Sequence, residues 1–275
     1  MFILGTKVHN ITLSQAVKYA EGFLNSKRQH YIVTPNPEIV VRARRNRAYR
    51  RILNSADLSI ADGVGLVWAS RLLFNKPKAI RTRITGVDFM HEFLRVTNNY
   101  GCAVLLLGGE DSAAKKSVSR LRQRFPRINF YAIENIHSPH LDFLIREIFR
   151  PDCIFIALGA PRQEQWIHAN LSRYPTIKVA MGVGGAFDFI SGRLPRAPEV
   201  MRGLGFEWLW RVALEPWRAK RVFNAAIVFP FLVSRLTSIL PILPSFCKSL
   251  ISSSSPSKPS VCPNTAPITS GFSKV

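Results

Sequence analysis

The sequence predicts an α/β protein: a Rossmann-like, mostly parallel sheet with helices on both faces, followed by a helical, basic C-terminal appendage. Three observations predict it. Short apolar runs (HYIV, CAVLLL, CIFIAL, KVAMGV) recur between longer stretches of helical periodicity, the pattern of βαβ units. Each run ends in a Gly, Pro, Asn or Asp turn that opens the next helix. The alternation stops at Arg196, where basic, Trp-rich helical segments take over and no strand follows.

The elements follow in order. FILGTKVHNI reads as a strand or hairpin. Thr12 and Gln15 form a capping box before the helix LSQAVKYAEGFLNS. HYIVTP is a strand, Asn36 an N-cap, and Pro37 the first residue of the helix EIVVRARR, with AYRRILNS next. DLSIADG is a strand opening a helix over 63–73. RTRITG connects, and Thr85 with Asp88 caps GVDFMHEFLRVTNNY. The second series runs CAVLLLGG, a helix from Glu110, INFYAI, the helix PHLDFLIREIF, CIFIALG, a helix starting at Pro161, and IKVAMGVGG. This divides the chain into an α/β core (1–195), a basic and apolar appendage (196–244) and a Ser/Pro-rich tail (245–275) expected to be disordered.

Composition narrows the partners. The net charge of +21 points to a polyanion: phosphates, nucleic acid or an anionic membrane surface. With 47% apolar residues, a sizeable core is available. Cys102 and Cys153 sit in apolar runs and read as buried thiols, while Cys247 and Cys262 lie in the tail; no spacing suggests zinc or a disulfide framework. The N-terminus lacks the basic and long apolar regions of a signal peptide. The longest apolar run, VFNAAIVFPFLV, contains Pro230 and is short of the roughly 20 residues of a membrane span, so it reads as interfacial.

Candidate chemistry gathers at strand ends. In LSIADG, Asp62 is either an N-cap or a general base held at the carboxyl edge of the sheet. Thr34 and Asn36 of VTPNPE suit both a turn and a hydroxyl-rich ligand. Gly108 and Gly109 let a backbone approach a ligand, but LLGG, DGVGLVW and MGVGGAF all fail the dinucleotide fingerprint, and no P-loop occurs. In GAPRQEQW, Arg162, Gln163 and Glu164 occupy the first turn of a helix, which suits an anionic or hydroxyl-bearing ligand. The six arginines of RARRNRAYRR read as a solvated helix face. Arg211 and Arg218 share a face if their helix survives Pro216, opposite an apolar face of Phe206, Leu209, Trp210 and Ala213. No DxD pair is present, so arginines rather than a carboxylate-bound metal would balance a diphosphate.

The ordered set TPNPEIV, ADGVGLVWAS, RITGVDF, LLGG, ALGAPRQEQW, MGVGGAFDFISGRLPRAP and LGFEWLWRVALEPWR resembles the WecG/TagA/CpsF family of bacterial glycosyltransferases (glycosyltransferase family 26) over roughly residues 5–221. The resemblance implies transfer of N-acetylmannosamine, N-acetylmannosaminuronate or glucose from a UDP-sugar to a polyprenyl-diphosphate-linked saccharide, with inversion and without metal or cofactor. It implies Asp62 as base, with Thr34 and Asn36 in the same pocket. Gln163 and Glu164, with Gly63, Arg83, Gly108, Gly109, Gly159, Gly184 and Gly185, are expected to bind substrate, and Arg211, Arg218 and Arg221 to close over it. It further implies peripheral attachment to an anionic membrane, at the cytoplasmic face of the inner membrane, and a possible homo-oligomer. Charge alone also suggests a nucleic-acid-binding protein, and the fold class a nucleotide-dependent oxidoreductase. The first would want aromatics interleaved with a basic groove, and the second a complete Gly fingerprint, so nucleic acid is not an expected partner.

Overall fold

The computed structural model describes residues 1–74 and 77–239. The tail expected at 245–275, Cys247 and Cys262 lie outside the described residues. A short hairpin, β1 (Phe2–Ile3) and β2 (Thr6–Lys7), leads into α1 (Leu13–Leu24), whose capping box between Thr12 and Gln15 forms as expected. Six further strands build one all-parallel sheet: β3 (His30–Val33), β4 (Leu58–Ser59), β5 (Ala103–Gly108), β6 (Asn129–Ile133), β7 (Cys153–Ala157) and β8 (Val179–Gly182). Their spatial order is β4-β3-β8-β7-β5-β6. The last strand therefore joins a two-stranded first half to a three-stranded second half.

Both faces are covered, as parallel sheets require. Alternate side chains go to opposite sides: Val104 and Leu106 of β5 pack on one face, Leu105 and Leu107 on the other. The first face carries α1, α5 (Gly86–Tyr100) and α6 (Ala113–Arg124), and its cluster includes Phe89, Phe93 and Phe155. The second carries α2 (Pro37–Arg45), α3 (Arg47–Asn54), α7 (Leu141–Phe143, continued by a π-turn to Phe149) and α8 (Arg162–Asn170), around Tyr49, Tyr174 and Ile156. Each such fully buried side chain contributes about 1.5–3 kcal/mol. Cys102 and Cys153 are buried free thiols.

A third cluster lies beside the sheet. There α4 (Val64–Leu73) and α2 receive the last described helix, Phe229–Ile239. Phe229 and Val233 are buried among Val40, Leu66 and Val67, while Ile227 and Phe231 remain exposed. The apolar run expected to be interfacial is thus two-faced, with one side docked on the core. Among the described residues no helix is long and apolar enough to cross a membrane.

Local details depart from the sequence reading at three helix starts or ends. The helix after β5 begins at Ala113, not Glu110, because Asp111 and Ser112 adopt left-handed backbone conformations. Pro161 sits at the cap of α8 rather than in its first turn. No continuous helix carries Arg211 and Arg218: α11 (Glu207–Leu214) stops, and a 3₁₀ turn starts at Pro216, whose missing N–H cannot continue the ladder. The face expected to be apolar on α11 is also not a buried one, since Phe206, Leu209 and Ala213 are exposed.

Candidate active site

The carboxyl ends of β3, β4, β7 and β8 converge where the two halves of the sheet meet, the place where open α/β sheets bind ligands. On the first side, Asp62 follows β4. Its backbone N–H donates to the Pro35 carbonyl at 2.9 Å, which ties the β4 turn to the β3 turn. Asp62 is not a helix cap. Gly63 holds the cap position of α4 at φ 120°, and no side chain caps it. The half-buried carboxyl has one weak partner, with the Gly86 N–H donating to Oδ2 at 3.5 Å. Burial pushes its pKa up from 3.8 to about 7, against the opposing pull of Arg83 and the Gly86 hydrogen bond. Gly86 faces both groups: a Cβ there would sit in van der Waals contact with each, 3.6 Å from Thr34 Oγ1 and 3.8 Å from Asp62 Oδ2.

Thr34 and Asn36 stand beside Asp62 with unused hydrogen-bonding capacity. Asn36 Oδ1 accepts from the Ile39 N–H at 2.9 Å and so caps α2, while its amide protons have no protein acceptor among the described residues. The buried Thr34 hydroxyl likewise has no hydrogen-bond partner among them. The first side therefore offers a carboxyl, a hydroxyl and an amide donor, all open to a ligand.

The second side is already satisfied. Gln163 Nε2 donates to Glu164 Oε1 at 2.7 Å, and Gln163 Oε1 accepts from the Gly184 N–H at 3.0 Å. Glu164 Oε2 accepts from the Tyr49 hydroxyl at 3.1 Å. Burial pushes the Glu164 pKa up, opposed by the Gln163 hydrogen bond. A Cβ on Gly182 would meet Gln163 Nε2 at 2.6 Å, so the strand end is fitted to that side chain. Together these contacts fix the turn carrying Gly184 and Gly185. Gly159, at φ 69°, opens the turn before α8, and a Cβ there would meet nothing within 4 Å. At β5, packing accounts for both glycines: a Cβ on Gly108 would strike Leu158 at 2.9 Å, and the Gly109 N–H donates to the Ala157 carbonyl.

The appendage arginines reach both sides. Between α9 (Ala186–Ile190) and α11, Arg211 donates to Asp188 Oδ2 at 2.7 Å and to Glu215 Oε2 at 2.8 Å, and its guanidinium lies over Gly185 where a Cβ would stand 2.3 Å away. Arg218 pairs with the same Glu215 oxygen at 2.6 Å, so the two arginines converge even though their helix breaks. Burial and the Arg211 charge lower the Arg218 pKa. Burial would raise the Glu215 pKa, but the two guanidiniums hold it down. Arg221 and Arg42 share Glu38 at the start of α2, next to Asn36. Arg83 donates to the Arg202 carbonyl at 3.0 Å, on α10 (Glu199–Leu204), and lies 4.0 Å from Glu207. Arg196 links Asp88, which is capped onto Thr85, to the same Glu207.

Over residues 1–239 the chain matches the glycosyl transferase WecG/TagA/CpsF family. The chain belongs to that family. It is 34% identical over 225 residues to an N-acetylglucosaminyldiphosphoundecaprenol N-acetyl-beta-D-mannosaminyltransferase of Bacillus subtilis (strain 168), covering 79% of this chain and 86% of that protein. It is 33% identical over 237 residues to the enzyme of the same name from Staphylococcus aureus (strain MRSA252), covering 85% and 91%. The protein is a glycosyltransferase with a Rossmann-like α/β fold.

Other residues around the site had weaker signals in the sequence. Tyr49 reads as an ordinary helical position, and Asp188, although inside the stretch MGVGGAFDFISGRLPRAP, has no role there that spacing reveals; only the fold places Tyr49 against Glu164 and Asp188 between Arg193 and Arg211. Gly86 had a signal in RITG, where a glycine opens a helix after a capping Thr. Among the described residues no group of three His, Cys, Asp or Glu side chains is placed to hold a metal.

Proposed function

We propose that this transferase moves an N-acetylmannosamine-type sugar from a UDP-sugar to a polyprenyl-diphosphate-linked saccharide. The relatives' names support the sugar and the acceptor class. The observation that carries the mechanism is Asp62: a half-buried carboxyl with spare lone pairs and a pKa of about 7, beside the open Thr34 hydroxyl and Asn36 amide. A base of that pKa is matched to proton transfer at neutral pH.

In the proposed step, ionised Asp62 takes the proton of the acceptor hydroxyl. The oxygen attacks the anomeric carbon from the face opposite the leaving group. The bond from that carbon to the UDP oxygen breaks, its electron pair leaves on the β-phosphate, and the configuration inverts. Arg211 and Arg218, held over the Gly184–Gly185 turn by Asp188 and Glu215, supply positive charge for the leaving diphosphate. Thr34 and Asn36 orient the acceptor sugar. The enzyme works as a peripheral protein at the cytoplasmic face of the bacterial inner membrane, with the segment after Arg196 as its membrane-facing part.

Product analysis tests the reading. Purified enzyme is incubated with a polyprenyl-diphosphate-linked N-acetylglucosamine acceptor and a panel of UDP-sugars, with and without chelator. Release of UDP from the N-acetylmannosamine donor, unchanged by chelator, is expected. Absence of UDP release from every donor overturns the assignment.

A further inference from the structure

A cleft of about 180 Å³ opens between α4 and α10, lined by Arg71, Arg81 and Arg83 with Trp68, Gly203 and Gly205. The volume is room for roughly six waters at about 30 Å³ each. Its arginines differ from those of the appendage. Arg196, Arg211, Arg218 and Arg221 each face a carboxylate. Neither Arg71 nor Arg81 makes a side-chain hydrogen bond or ion pair among the described residues, and both are exposed. Arg83 lines the same cleft, as does Val64, two residues after Asp62, and the Arg83 charge opposes the desolvation of the Asp62 carboxyl. The cleft thus runs from two uncompensated cations at its mouth to the neighbourhood of the proposed base.

The two helices that bound the cleft also carry exposed apolar side chains. Trp68 is 70% and Leu72 60% exposed, one turn apart on α4; Val200 is 73% and Leu204 62% exposed, one turn apart on α10. Two apolar ridges, one on each helix, therefore stand beside the cations of the cleft. Gly205, at φ 82°, lets α10 end directly over Val64, where a Cβ would stand 2.9 Å away, so the two helices close to this width. No residue from the ends of β7 or β8, next to the arginines proposed to meet the leaving diphosphate, lines the cleft.

We propose that this cleft binds the diphosphate of the lipid-linked acceptor, with Arg71 and Arg81 holding its phosphate oxygens and the Trp68–Leu72 and Val200–Leu204 ridges receiving the start of the prenyl chain. The inference rests on the acceptor class proposed above. The chemistry requires such a place: the acceptor's diphosphate is separated by its sugar from the hydroxyl that reacts, so the anion site must lie beside the base and not on it. Arg83 meets that requirement from the cleft side, and guanidinium groups match phosphate oxygens in paired hydrogen bonds.

The test uses the full chain and the double variant Arg71→Ala/Arg81→Ala. Both side chains are exposed and unpaired, so an unchanged melting temperature is expected. Inorganic pyrophosphate is titrated calorimetrically with UDP present to occupy the donor site. Wild type binds, and the variant, which has lost two guanidinium partners for phosphate oxygens, binds at least roughly tenfold more weakly, a loss of about 1.4 kcal/mol. With a short-chain, water-soluble diphosphate-linked acceptor, the acceptor KM rises by a similar factor while the donor KM stays within about twofold. Sedimentation with phosphatidylglycerol vesicles lacking acceptor is unchanged. Equal pyrophosphate binding in variant and wild type overturns the proposal. So does weakened vesicle binding with an unchanged acceptor KM, which would make the cleft a general lipid-headgroup site. If wild type turns over no donor, the proposed function fails, and the pyrophosphate titration still decides whether the cleft is a diphosphate site.

Discussion

Two carboxyl groups stand at the same edge of the sheet, and burial raises the pKa of both, yet they are built for different work. Glu164 is fully buried and has both oxygens occupied, one by Gln163 and one by Tyr49. Asp62 is only half-buried, has one long hydrogen bond at Oδ2, and its Oδ1 has no hydrogen-bond partner among the described residues. Desolvation alone therefore does not mark a proton acceptor. What separates the two is spare capacity: Glu164 spends its lone pairs holding a turn in place, and Asp62 keeps them for a ligand.

The sharpest way to break that contrast is Asp62→Asn. It removes the base without changing shape, and kcat is expected to fall by about 10²–10⁴, the contribution of general base catalysis. Full activity in this variant, measured by UDP release, ends the role of Asp62. Glu164→Ala should act differently. It strands the Tyr49 hydroxyl and the Gln163 amide in an apolar cluster, at a cost of about 1–3 kcal/mol in stability read by denaturant unfolding. Glu164→Gln, which keeps the size of the side chain, should cost less.

The pH dependence sharpens the contrast further. A base with a pKa of about 7 must be ionised to act, so kcat/KM should climb about tenfold per pH unit below 7 and level off above it. Stability should move the opposite way. The folded pKa of Asp62 lies above its unfolded value of 3.8, so its contribution is fully present below about pH 4 and is lost as pH rises through about 7. Asp62→Asn is then expected to melt higher than wild type at pH 8, with the gap closing toward pH 4. The smallest expected effect belongs to Arg83→Met. Removing the cation that opposes desolvation should move the midpoint of the pH–rate profile upward, whereas an unmoved midpoint would mean that Arg83 does not act on this carboxyl.

Much of the fold was legible because local signals agreed. Thr12, Asn36 and Thr85 each cap the helix they announce, and each apolar run forms the strand it suggests. The strand order was not legible, because no local pattern records that β8 returns between β3 and β7. At the candidate site, the strand-end motifs indicated where polar groups gather. They could not separate Asp62 from a helix cap, since that depends on which residue takes the cap geometry, and Gly63 takes it at a positive φ. The appendage arginines were visible as charges, but their convergence on Glu215 was not. A seven-residue spacing argument needs an unbroken helix, and Pro216 ends that helix.

The position of β8 also bears on how the chain comes into being. Its two neighbours, β3 and β7, belong to halves that share no other direct pairing, and β8 follows β3 by roughly 150 residues. At a synthesis rate of about 5–20 residues per second, β3 waits roughly 7–30 s for its partner. During that interval β3 presents an unpaired edge, the kind of surface on which nascent chains stick to one another. One late strand ends the exposure of both halves at once, and the same event brings the Gly184 turn opposite Asp62. Assembly of the site and pairing of the two inner edges are a single step in time.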